Sequence, residues 1–206
     1  KKIENMLYWI SCLTTLGAYF PFTKHITNGR SVKGETMKQL TVRDLAHIAI
    51  VAALYVALTA TPPLNAISYG GIQFRLSEML NFLAFYNPKY IIAVTLGCMI
   101  ANTFGTIGLL DVFVGGGSTL VFVTLGLILF SKYKKEYIFN GLFNKAFFYF
   151  SVFYAIFMVT IAAEISLVLQ TPFLLTWITV AVGELISSLF GALVIDKLAQ
   201  YIDFTR

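Results

Sequence analysis

Long apolar runs separated by short polar or proline-bearing links dominate the pattern along this chain. From Met37 onward they predict six membrane helices. The first covers 45–61 and stops at Pro62-Pro63, which cannot continue a helix. The second covers about 72–86 and ends before Pro88. The third runs from 90 to about 106, and the fourth follows the glycines at 115–117 and continues to 130. The fifth covers 146–170, and a Gln170-Thr171-Pro172 turn leads to the sixth at 174–198. As an α-helix the second covers only about 22 Å of a hydrocarbon core of about 30 Å. The loop before it, 62–71, is therefore expected to dip inward, where non-helical backbone must be buried in protein or line a cavity.

Residues 1–36 read differently. The apolar run at 6–22 is short for a span, is interrupted by Thr14, Thr15 and Gly17, and is followed by Pro21. No small-residue cleavage site marks it as a signal peptide. Lys33-Gly34-Glu35 is encodable by AAAGGAGAA, a ribosome-binding sequence just upstream of the Met37 codon. The preferred reading is that Met37 is the initiator and that 1–36 is a translated leader, or otherwise a disordered or interfacial extension. The membrane domain is then 37–206. A seventh span at 6–22 stays open.

Composition agrees with the membrane class: 58% hydrophobic residues, 12% charged, and a mean hydropathy of +0.78. The net charge of +5 does not indicate nucleic acid, because its carriers sit between apolar runs. With six spans, Lys38, Arg43, Lys89, Lys132, Lys134, Lys135, Lys145, Lys197 and Arg206 share one side, which predicts cytoplasmic termini for the core. Only Arg75 falls elsewhere. Cys12 and Cys98 form neither a disulfide framework nor a metal spacing.

The candidate chemistry lies in polar residues inside the spans. Arg75 and Glu78 are three apart and neutralise each other if they share a helix face, but that leaves Gly70, Gly71 and Gln73 unexplained. Two adjacent glycines let backbone approach a ligand closely. Glu164 and Glu184 flank the turn at 170–172, and Asp111 precedes the fourth helix. Four acids and one base thus converge on the outer half of the bundle, an excess that suits a cationic or N–H-rich ligand. His25 and His47 lie away from these acids, and no Ser-His pair or metal motif is present. Gly115-Gly116-Gly117-Ser118-Thr119 lacks the lysine and strand of a phosphate loop. Two stripes of small residues, Ala49, Ala53, Ala57 and Gly183, Ser187, Gly191, mark close helix contacts, inside the chain or with another subunit.

The residues 69–78, reading Tyr-Gly-Gly-Ile-Gln-Phe-Arg-Leu-Ser-Glu, resemble the QueT family when taken in order with Ala101-Asn102-Thr103-Phe104-Gly105, Leu110-Asp111-Val112, Ala163-Glu164 and Ala181-Val182-Gly183-Glu184. The resemblance covers about 37–198. It implies an all-α integral membrane protein, a six-transmembrane-helix bundle of the energy-coupling factor (ECF) S-component type, in the bacterial plasma membrane. Such a subunit binds a queuosine precursor from outside: a 7-deazaguanine in its aminomethyl or cyano form, or queuine. It has no transport power alone, and docks on a transmembrane coupling subunit driven by two ATPase subunits. ATP belongs to those partners, and no cofactor is implied for this chain. Ala49, Ala53 and Ala57 look like the docking face. A carboxylate accepts the adjacent N–H donors of a guanine edge, and a second one takes an aminomethyl cation. Glu78, Glu164, Glu184, Asp111, Asn102, Gln73, Arg75, Gly70 and Gly71 match that chemistry, with Tyr69 or Trp177 for stacking. Which acid reads the base stays open. So do an S component for another vitamin, a proton-coupled carrier relaying through Glu164 or Glu184, and a membrane enzyme. The absence of an obvious internal repeat argues against the carrier.

Overall fold

A computed structural model describes residues 41–62, 64–68, 73–105 and 107–205; the expectations for 1–36 lie outside them. In chain order the elements are α1 (Val42–Ala60), α2 (Leu64–Ser68), a 3-10 helix (Leu76–Phe85), α3 (Lys89–Asn102), α4 (Leu109–Phe130), a 3-10 turn (Ser131–Tyr133), a hairpin of β1 (Tyr137–Ile138) and β2 (Phe143–Asn144), α5 (Lys145–Phe157), α6 (Val159–Leu169) and α7 (Phe173–Leu198). Four stretches among them are long and apolar enough to cross a membrane: Val42–Ala60, Leu109–Tyr133, Lys145–Leu169 and Phe173–Leu198. Leu76–Phe85 and Lys89–Asn102 are shorter apolar helices. Apolar side chains cover the outside as well as the core, with Leu109, Leu167 and Leu174 largely exposed. That distribution belongs to a multi-pass membrane protein.

Several expected boundaries are corrected. The fourth helix begins at Leu109, so the three glycines lie inside it. Packing demands two of them: a Cβ on Gly115 would lie 2.2 Å from Asn102 Nδ2, and one on Gly116 2.3 Å from Met99 Cγ. The fifth expected helix is broken at Met158 into α5 and α6. The third ends at Asn102, the loop after Pro62 contains α2, and the lysine-rich loop carries a two-stranded hairpin.

The largest correction concerns the second span. Gln73–Arg75 is not helical, and 76–85 is a 3-10 helix rather than an α-helix. A 3-10 helix rises about 2.0 Å per residue, so ten residues cover about 20 Å, against about 15 Å for the same ten in an α-helix, and Arg75 before them is extended. Stretching recovers part of the length that an α-helix would lack. Runs this long are uncommon for 3-10 geometry, and tertiary packing holds this one. The Phe82 ring lies 4.7 Å from that of Phe147 and 5.4 Å from that of Phe150, and Gly191 of α7 lets Met79 pack closely.

One end of the bundle gathers the polar links. Lys89 Nζ lies 2.9 Å from Asp44 Oδ1 and 3.0 Å from His47 Nδ1. Lys134 Nζ donates to the Phe85 carbonyl at 2.9 Å and sits 3.8 Å above the Tyr86 ring; burial pushes its pKa down. Asn87 Nδ2 donates to the Thr205 carbonyl at 3.1 Å. The start of α1, the turn before α3, the hairpin and the C-terminal segment therefore share an end. At the other end Gly108, at φ 81°, starts α4, and Gln170, at φ 55°, closes α6.

Candidate functional site

Small residues of α7 bring the 73–79 segment into the middle of the bundle. A Cβ on Gly183 would lie 2.5 Å from the Gln73 carbonyl oxygen, and one on Gly191 2.4 Å from Met79 Cβ. Between them Ser187 Oγ donates to the Arg75 carbonyl. This contact places Arg75 and Glu78 beside Glu184, all three of them buried.

A small cavity opens there, lined by Gln73, Arg75, Glu78, Cys98, Gly115, Ser118, Thr119, Tyr154, Met158, Ile161, Val180 and Glu184. Its volume is about 20 Å³, room for about one water. Glu78 is pinned on both oxygens: Tyr55 Oη donates to Oε1 and Asn81 Nδ2 to Oε2, each at 2.6 Å. Glu184 accepts from Ser188 Oγ at 2.6 Å on Oε1, and no donor among the described residues reaches its Oε2. The Arg75 guanidinium interacts electrostatically with Glu78, Asp111, Glu164 and Glu184 alike. One cation therefore serves four carboxylates.

A second tier lies one helical turn farther along. Asn102 follows the cavity-lining Cys98 by four residues on α3, Asp111 precedes Gly115 by four on α4, and Glu164 follows Ile161 by three on α6. These spacings keep each residue on the face of its lining neighbour, about 4.5–6 Å along the axis. The displacement in each case is toward the end that carries Gly108 and Gln170. Asn102 Nδ2 donates to the Asp111 carbonyl at 2.9 Å. Asn102 Oδ1 and both carboxylate oxygens of Glu164 are buried without a hydrogen-bond partner among the described residues.

The expected residues divide accordingly. Gln73, Arg75, Glu78 and Glu184 line the cavity, and Asp111, Glu164 and Asn102 form the outer tier. Trp177 is not among the lining side chains; its indole N–H donates to the Ile156 carbonyl at 3.1 Å and its ring stacks on Phe173. Tyr69, Gly70 and Gly71 lie outside the described residues. Ala49, Ala53 and Ala57 are exposed on α1, where with Leu45, Val56, Leu96 and Ile100 they line an apolar groove of about 600 Å³. Sequence reasoning missed Tyr55, Asn81, Ser188 and Tyr154. The available signal was a hydroxyl or amide inside an apolar run, four residues or fewer from a carboxylate in the cases of Asn81 and Ser188. Among the described residues no group of three or more His, Cys, Asp or Glu is placed to hold a metal.

A family model described as "QueT transporter" matches residues 45–200. The queuosine precursor transporter QueT of Lactococcus lactis subsp. cremoris (strain MG1363) is 58% identical over 170 residues, which are 82% of this chain and 100% of that protein. No solved structure matches.

Proposed function

From the premise that this chain belongs to the QueT transporter family, we propose that it is the substrate-binding membrane subunit of an ECF-type importer. Membership makes it a transporter rather than an enzyme. On this reading it binds a queuosine precursor from the outside, a 7-deazaguanine in its aminomethyl or cyano form or as queuine. It then delivers that precursor by docking on a coupling subunit with two ATPase subunits in the bacterial plasma membrane. The bundle counts six spans once the stretched 73–85 segment and α3 are included, and both core termini face the cytoplasm.

The observation that carries the reading is Glu184. Its buried carboxylate faces a cavity inside the bundle with one oxygen held by Ser188 and the other met by no donor among the described residues. Adjacent N–H groups of a guanine edge supply such donors, while Gln73 and Arg75 provide donors for its carbonyl. Glu78 is already satisfied and shapes the site by its charge. Because the cavity holds about one water, a planar base enters by parting the side chains around it, Met158 and Tyr154 included.

The test is mass spectrometry of the ligand that co-purifies with the protein, followed by binding measurements on Glu184→Gln. The expected ligand is a 7-deazaguanine. The variant should lose about 10–100-fold in affinity for every form, the value of a charge-assisted hydrogen bond of about 1.5–3 kcal/mol. A different vitamin in the purified protein, or unchanged affinity in the variant, removes this assignment.

A further inference from the structure

Among the described residues neither oxygen of the Glu164 carboxylate is hydrogen-bonded. It is 4% exposed. A carboxylate removed from water without donors is costly, and an arriving N–H donor offsets that cost. Asn102 Oδ1, also without a partner among the described residues, belongs to a residue that is fully buried. Asp111, 4% exposed, lies within electrostatic range of Glu164, and its backbone carbonyl holds the Asn102 amide nitrogen. Two carboxylates and an amide oxygen belong to one tier, and Arg75, whose charge reaches both acids, is shared with the two acids below. Among the described residues the tier offers more acceptors than donors.

We propose that Glu164, Asp111 and Asn102 form a subsite for a primary ammonium carried by the bound base, separate from the Glu184 position that reads the base edge. The proposal rests on the base-binding reading above and adds its specificity. An ammonium has three N–H donors and no acceptor, which matches two carboxylates and one amide oxygen. A base lying in the inner tier points its five-membered ring away from the N1–H and amino donors, so a 7-aminomethyl group extends toward the turn of helix where these residues sit. A 7-cyano group in the same place offers only an acceptor and gains nothing there. The chain is thereby assigned a preference for the ammonium-bearing precursor, set by Glu164 and Asp111 and independent of Glu184.

The experiment measures binding of 7-aminomethyl- and 7-cyano-7-deazaguanine to the purified full chain and to Glu164→Gln and Asp111→Asn. Wild type should prefer the aminomethyl form. Glu164→Gln should weaken that form by roughly tenfold or more, as loss of a charge-assisted bond does, and leave the cyano form within about twofold. Asp111→Asn should shift the ratio the same way, and it sits on a different helix, so it serves if the first variant fails to fold. Equal loss of both ligands in both variants, or no change in the ratio, overturns the subsite. Wild type that binds the cyano form but not the aminomethyl form overturns it while leaving the base-binding reading intact. Wild type that binds neither overturns the subsite, and if it binds no queuine either, the base-binding reading falls with it.

Discussion

Tyr55 and Asn81 hold Glu78 with two hydrogen bonds of 2.6 Å, and all three side chains are buried. Removing one donor leaves a charged oxygen without its partner in a low-dielectric interior, at a cost of about 1–3 kcal/mol. Tyr55→Phe is therefore expected to lower the unfolding temperature of the detergent-solubilised protein and to weaken precursor binding indirectly. A variant as stable as wild type would show that Glu78 does not depend on the phenol. Gly97 belongs to the same constellation, since a Cβ there would lie 2.6 Å from Tyr55 Cβ. The glycine lets α3 approach α1 closely at Tyr55, whose phenol reaches Glu78 on the 3-10 helix.

Among the elements, α1 and α7 carry the same sequence signal and use it in opposite ways. Gly183, Ser187 and Gly191 are buried and receive the 73–79 segment of this chain. Ala49, Ala53 and Ala57 are exposed and line an open apolar groove. On the proposed reading the groove receives the coupling subunit. Ala53→Trp, which fills the groove far from the cavity, should leave precursor affinity unchanged and abolish uptake in cells that carry the coupling module. Continued uptake by a correctly folded Ala53→Trp protein eliminates α1 as the docking face.

For the whole molecule, Lys89, Lys134, the hairpin and the C-terminal segment cluster at one end, away from Asp111 and Glu164. Charge asymmetry of this kind sets orientation. On a background lacking native cysteines, Gln170→Cys in intact cells should react with a membrane-impermeant thiol reagent, whereas Lys135→Cys should react only after the membrane is opened. The reverse pattern inverts the proposed topology. How much of this was legible in the sequence depended on range. Apolar run length against bilayer thickness, lysine placement and proline stops are local properties, so the membrane class, most of the helices and the list of buried acids were read directly from the residues. Gln73, Arg75, Glu78 and Glu184 needed no structure to be suspected. The stretched 3-10 geometry of 76–85, the continuation of α4 through three glycines and the donors that satisfy Glu78 depend on which surfaces meet across the bundle, and residues far apart in the chain decide that. The same holds for the two stripes: small residues every four positions determine that a helix can be approached closely, and only the packed bundle decides whether the approaching surface is its own chain or is left open.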